Sequence, residues 1–331
     1  MGLTLNDIPG FFVGHWTDPS AATGCTAIVC PDGAVGGVDV AGGAPATRET
    51  DLLRPEEMVQ QLHAVVLSGG SAFGLAAAAG AANELEARGI GFDMQVCRVP
   101  IVSSACVFDL GFGDAAVRPG EAQGAEAVRA ALDGTADVTA MGNVGAGTGC
   151  TVGKFAGPTQ CMKGGLGWAV EQEGPLVVGA IAAVNAVGSV RDPETEEWVA
   201  GARVAGASLD VIPDPLGAIS AMFSQGASQV TAGDAPLPRS NTTISCVVTN
   251  ALLSKAQCTK VAQMCGDAYA RCIVPSHTTN DGDTVFVMAN GPVPAPEDVV
   301  GIVAQRALAR AIVDGCRSAE TLLGVPGAAS R

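Results

Sequence analysis

Aromatic rings, charge and histidine are all scarce in this chain. Of 331 residues only 4% are aromatic, with a single Tyr, and 15% are charged. The core must therefore be built from Ala, Val, Ile and Leu. Basic residues are fewer still: 18 Lys and Arg stand against 33 Asp and Glu, a net charge of −15. That excludes a nucleic-acid binder, which needs a basic surface for phosphates, and a partner of anionic membranes. Acidity itself speaks only to solubility. The three histidines, His15, His63 and His277, are far apart, and no two of the 11 Cys form a CxxC pair. No zinc site is expected. No basic region precedes an apolar stretch at the start, Met1-Gly2-Leu3-Thr4-Leu5-Asn6-Asp7. The longest apolar tract, Val177 to Val190, is too short to span a bilayer and carries Asn185. The expectation is a cytoplasmic protein whose thiols are reduced and mostly buried as small hydrophobes.

What is abundant is apolar residue, 48%, and glycine, 44 positions. Together they imply a large, tightly packed core with many turns, and further burial in a homo-oligomer. Thr26–Cys30, Val38–Val40 and Ala64–Leu67 read as strands, and Arg54–His63 as a helix with Pro55 in its first turn. Ser68-Gly69-Gly70-Ser71 turns into an Ala-rich helix over Ala72–Ala87, ended by Gly89. Glu121–Leu132 is a second helix, Met141–Gly153 a Gly-rich loop, and Val177–Val190 one strand or two before a turn at Asp192-Pro193. Val211–Ser240, weak in every pattern, suits an exposed loop. Then come a strand (Ile244–Thr249), a helix (Leu253–Ala270), a strand (Val285–Ala289) and a helix (Pro296–Cys316) apolar nearly all round and hence buried. The last eight residues read as a frayed tail. Without repeats or a linker, residues 1–331 are expected to form one layered α/β domain.

The chemistry concentrates in two segments. In Asn241-Thr242-Thr243-Ile244 a Thr behind an Asn opens an apolar strand-like run. Its hydroxyl could attack the Asn241 carbonyl and cut the chain, given a pre-organised turn and a donor for the oxyanion. The freed α-amine, with a pKa near ~8, would then serve Thr242 as its own base. The plain alternative is a strand start with capping side chains. Downstream, His277-Thr278-Thr279-Asn280-Asp281-Gly282-Asp283-Thr284 sets two carboxylates two residues apart at a strand's edge. Both could face one ammonium, one holding it and one assisting proton transfer; an Asp-Gly turn is the ordinary account.

Three other places carry chemistry-like patterns. Gly145–Lys154 imitates a phosphate loop, but Thr148 replaces the required first Gly and Phe155 the magnesium-binding hydroxyl. Lys154 is then either a buried catalytic cation or a surface Lys. Asn185, an amide inside an apolar run, needs partners and could donate to an oxyanion or cap a turn. Ser68–Gly74 lacks the spacing of a nucleophile elbow, since Phe73 stands where the second Gly belongs.

Together these segments resemble the P1 peptidases, peptidase family S58, whose members include D-aminopeptidase/esterases, β-aminopeptidases and nylon-oligomer hydrolases. The likeness runs through Gly42–Asp51, Leu67–Leu75, Gly153-Lys154, Val184-Asn185, Asn241–Ile244 and Asp281–Thr284. It implies a four-layer αββα sandwich like that of N-terminal nucleophile hydrolases but differently connected. It implies self-cleavage between Asn241 and Thr242 into an α chain (1–241) and a β chain (242–331). Thr242 would be the nucleophile, Asn185 the oxyanion donor, and Lys154, Asp281 and Asp283 supporting polar groups, with no metal or cofactor. The substrate would be a small peptide or a linear amide such as a nylon oligomer, and the assembly a homo-oligomer of α/β pairs. The two Asp and the Asn-Thr-Thr-Ile-Ser run look more like the nylon-oligomer hydrolases. Phe108, however, stands where those hydrolases carry a Tyr; it and Thr243 are the candidate substrate contacts. Only Asp109 in that stretch could hold a substrate ammonium. An acyltransferase of the ornithine acetyltransferase type, which shares the sandwich, and a non-enzymatic oligomeric relic of the fold are the alternatives.

Overall fold

One strand of 18 residues organises the molecule. The computed structural model describes residues 2–157, 159–203, 210–211 and 241–330. After β1 (Phe12–Asp18), β2 runs unbroken from Thr23 to Val40. The sequence suggested two short strands here, but Pro31 and Gly33 (φ +81°) only shift the register between Val29 and Ala34. Before that shift β2 pairs with β1 and with β4 (Leu62–Ser68); after it, β2 pairs with a strand from the far end of the chain. β2 thus belongs to two sheets.

The first sheet has the order β1-β2-β4-β5-β3, with β3 at Thr47–Arg48 and β5 at Val102–Cys106. The second is β6 (Gly165–Glu173), β7 (Leu176–Asn185), β10 (Thr242–Ala251), β12 (Thr284–Val293) and the second half of β2. The intervening β8 (Ser189–Arg191), β9 (Trp198–Ala200) and β11 (Ile273–Val274) form a small separate sheet. Pairing is antiparallel except β4–β5 and β10–β12.

Helices cover both outer faces. α1 (Ala76–Ala87) and α2 (Glu121–Leu132) lie on the first sheet; α3 (Lys255–Cys272) and α4 (Glu297–Arg317) lie on the second. Three apolar layers result. Ile28, Leu67, Ile181, Ile244 and Phe286 fill the space between the sheets. Val66, Ala77, Ala81 and Val128 fill one outer interface, and Val247, Val261, Tyr269 and Leu308 the other. This is the αββα sandwich. Glycine lets its layers close: a Cβ on Gly80 would strike the Glu121 backbone, and one on Gly124 the Ala77 backbone, so α1 and α2 touch main chain to main chain.

Local signals account for the helix ends. Gly89 in the left-handed region (φ +74°) stops α1, with Ile90 N donating to Leu85 O. Ser254 and Gln257 form a capping box ahead of α3.

Two expectations fail, and two others hold only in part. Arg54–His63 is not a helix: Met58 is 87% exposed, and the carbonyls of Leu52, Glu57 and Val59 accept from the Lys255 ammonium instead of from amides of a helical turn. α4 is buried around most of its circumference, and only a stripe through Val299, Ile302, Arg306, Arg310 and Arg317 is exposed, where the three Arg pair with Glu171, Glu173, Asp192 and Asp314. The tail is tied down by Pro326 O, which accepts from Lys163 N, and by a Leu322–Val325 bridge. The Ala-rich helix opens with a 3-10 turn over Ser71–Leu75, so its α part starts only at Ala76. Residues 212–240, the bulk of the expected loop, lie outside the described residues.

Candidate active site

The second sheet brings Thr242 to a meeting point of three strand ends. Thr242 is the first residue of β10, where a β-branched run favours extended backbone. On one side it pairs with Asn185, the last residue of β7; on the other, Asn241 bridges to Asp281 just before β12. Asn241 and Thr242 are both buried. The Thr242 hydroxyl donates to the carbonyl oxygen of Asn241 and accepts from Gly282 N at 3.2 Å. A Cβ on Gly282 would press on that hydroxyl and on Ala44 O, so glycine is needed there.

Asn185 is held in one orientation. Its Oδ1 accepts from Lys154 Nζ at 2.7 Å and from Thr151 N at 2.9 Å, and its Nδ2 donates to Phe108 O at 2.9 Å. Lys154 Nζ also donates to Asn185 O at 2.9 Å. Lys154 follows Gly153, whose positive φ (+77°) turns the loop into the site. The Lys is buried, and burial pulls its ammonium down to about 7, partly opposed by Cys150, Cys161 and Asp281. Lys154 is therefore not a surface Lys.

The carboxylates divide their work. Asp283 Oδ1 accepts from Thr243 N at 2.7 Å and Oδ2 from His277 N at 3.0 Å. Asp281 Oδ2 accepts from the Thr278 amide and hydroxyl. Burial first, and the neighbouring Asp283 second, raise the Asp281 carboxyl above the usual range. Asp283 therefore grips the amide after Thr242 rather than the nitrogen of Thr242 itself. The loop is pinned from behind, with Ala44 N on Asp281 O at 2.8 Å and Ala41 and Gly42 N on Asp283 O. Side chains at Gly42 or Gly43 would collide with that loop, which accounts for the Gly-Gly pair.

Three candidate contacts take other roles. Thr243 is fully buried, its amide on Asp283 and its carbonyl accepting from the Tyr269 hydroxyl, so it anchors the strand and lines no opening. Phe108 meets the site through its carbonyl, which any residue would supply. Asp109 is buried and occupied by Thr23 Oγ1 and Gly70 N, each at 2.7 Å. It braces the turn from β4 to α1 and is not placed to hold a substrate ammonium.

Sequence reasoning left three residues without a role. Tyr269, the single Tyr, spans β10 and β12 with its hydroxyl 3.2 Å from both Thr243 O and Thr284 O and 2.8 Å from Ser245 Oγ. Lys163 is fully buried; its ammonium donates to Thr148 O and Cys150 O and is pulled down to about 8 by burial. His277 lies 3.0 Å from Asp283. Rarity and adjacency to the acidic pair were the available signals for Tyr269 and His277; Lys163 had none.

Comparison with known proteins agrees with this architecture. The family model described as peptidase family S58 matches residues 4–330. An uncharacterized aminopeptidase of Mycobacterium leprae is 40% identical over 352 residues, covering 98% of this chain and 92% of that protein. A 6-aminohexanoate-oligomer endohydrolase of a Kocuria species is 30% identical over 293 residues, covering 88% and 76%. The solved L-aminopeptidase D-Ala-esterase/amidase of Ochrobactrum anthropi, a variant of the Ntn hydrolase fold, superposes with a TM-score of 0.66 at 20% identity, covering 98% of this chain and 90% of that one. The chain thus belongs to peptidase family S58 and is a hydrolase of peptide or amide bonds.

Proposed function

We propose that the chain cuts itself between Asn241 and Thr242, and that the freed Thr242 then hydrolyses small peptides or linear oligoamides. In the first step the Thr242 oxygen attacks the Asn241 carbonyl carbon. The Asn241–Thr242 amide breaks, its nitrogen leaves as an amine carrying the hydroxyl proton, and an ester to Thr242 remains. Water cleaves the ester, giving the Asn241 carboxylate and a free Thr242 hydroxyl. In turnover the new amine takes the hydroxyl proton, the oxygen attacks the substrate carbonyl, and the substrate's amine leaves with the proton. Water then releases the acyl group.

The observation that carries this reading is the double pairing at the start of β10, Asn185 opposite Thr242 and Asp281 opposite Asn241. It sets an amide donor and the acidic loop on either side of one peptide bond. The Asn185 amide serves as oxyanion donor, with Lys154 fixing its direction. Linear oligoamides enter by the name of the Kocuria relative, small peptides by that of the Mycobacterium one. Homo-oligomers of the two-chain product belong to the same reading.

Denaturing gels test it. The wild type should resolve into pieces 1–241 and 242–331, and Thr242→Ala should stay a single 32.9 kDa chain without hydrolysis of p-nitroanilides or oligoamides. A Thr242→Ala protein that hydrolyses them at the wild-type rate would sink the reading.

A further inference from the structure

His277 has surroundings unlike those of the other two histidines. His15 is half-buried beside Thr26, and desolvation drives it down to about 4. His63 accepts from Ile101 N and packs edge-on against Phe92, and burial lowers it too. Both are held neutral by desolvation. The side chain of His277 is 25% exposed, and both of its ring nitrogens face oxygen acceptors. Nδ1 lies 3.0 Å from Asp283 Oδ2, in a bent contact that is ionic more than directional, and Nε2 lies 3.5 Å from Gly266 O. A neutral imidazole has one donor and one acceptor nitrogen, so it would set a lone pair against one of these oxygens; an imidazolium turns a positive N–H toward each.

The ring is also fixed from its face and through its backbone. It stacks on Tyr269 at 5.5 Å between centroids and 33° between planes. Its residue sits at φ +55°, a conformation held by the bond from its own amide to Asp283 Oδ2. Asp283 passes the restraint on, because its other oxygen holds the amide of Thr243. Tyr269, under the ring, holds the Thr243 carbonyl. The residue after the proposed nucleophile is thus held at both its amide and its carbonyl by groups that His277 touches.

We propose that His277 is a positioning residue of this site: as an imidazolium it clamps Asp283, and through Asp283 and Thr243 it sets where the Thr242 hydroxyl points. The proposal rests on Thr242 being the nucleophile. The charged groups facing the ring are Asp283 and Asp281 on its own loop and Asp39 on β2, with Tyr269 on α3. All three acids favour the protonated ring, the contact with Asp283 most, and its proton is held above the ordinary histidine value. The clamp is therefore closed in mild acid and released as pH rises through that elevated value.

His277→Asn tests the role, since Asn tolerates the left-handed backbone but carries no charge. On processed enzyme kcat should fall between about tenfold and a hundredfold, the loss of one charge-assisted contact, with KM little changed. The fall in wild-type kcat toward alkaline pH should disappear. His277→Asn with the wild-type kcat and the same pH limbs overturns the proposal. Should that variant not fold, the uncut Thr242→Ala protein answers by NMR. Its His277 ring should titrate above 6.5, and adding Asp283→Asn should bring that value down; an unmoved titration overturns the clamp. Inactive Thr242→Ala beside an unchanged His277→Asn removes only the role of His277, whereas a fully active Thr242→Ala removes the reading beneath it.

Discussion

Asn185 illustrates what a single residue can contribute here. Its amide oxygen is saturated by Lys154 and Thr151, and its amide nitrogen spends one hydrogen on Phe108 O. The amide sits in a buried place, where a hydrogen bond is electrostatically stronger than in water. Asn185→Ala should slow both the appearance of the two chains on a gel and the turnover of a p-nitroanilide, the latter by about 10²–10³-fold in kcat, as for loss of one oxyanion donor. At this scale the sequence was partly legible. Asn185 stood out as an amide in an apolar run, and Lys154 as a lone cation among apolar neighbours. Thr243 and Asp109 were misread because nothing local states what a buried backbone carbonyl or carboxylate touches. Their partners, Tyr269 for one and Thr23 for the other, come from distant segments.

Elements were easiest to read where one short-range signal sufficed. Glu121–Leu132 forms over the residues expected, and the Ser254 capping box opens α3 close to where the pattern began. The stretch after Arg54 failed because its carbonyls are claimed by Lys255, a residue from the other half of the chain. The α1–α2 pair rests on glycines whose missing Cβ atoms allow main-chain contact at Gly80 and Gly124. Gly124→Val should therefore destabilise the protein by at least the ~1–3 kcal/mol of an overpacked core, because the obstacle is the Ala77 backbone. Urea unfolding followed by circular dichroism would measure it, and an unchanged midpoint would refute the close approach.

Across the whole molecule, the proposed cut falls at an unusual place. Residues 242–331 supply β10 and β12, which lie between β7 and β2 of the preceding segment, and α3 and α4, which cover that sheet. Separating the two pieces would break the ladders on both sides and expose the apolar layer beneath the helices. The cut chains should co-elute in size-exclusion chromatography and part only in denaturant; separation in native buffer would contradict this arrangement. Composition, periodicity and the two Thr- and Asp-bearing segments were sufficient for the layered α/β class and for the residue types of the candidate site, since those depend on neighbours in the chain. Register was not in them. It comes from which strands lie side by side, and a shift of one residue would turn Thr242 to the other face of the sheet. Only the packed sheets decide that Asn185 stands opposite Thr242 and Asp281 opposite Asn241, and that His277 comes to rest against Asp283.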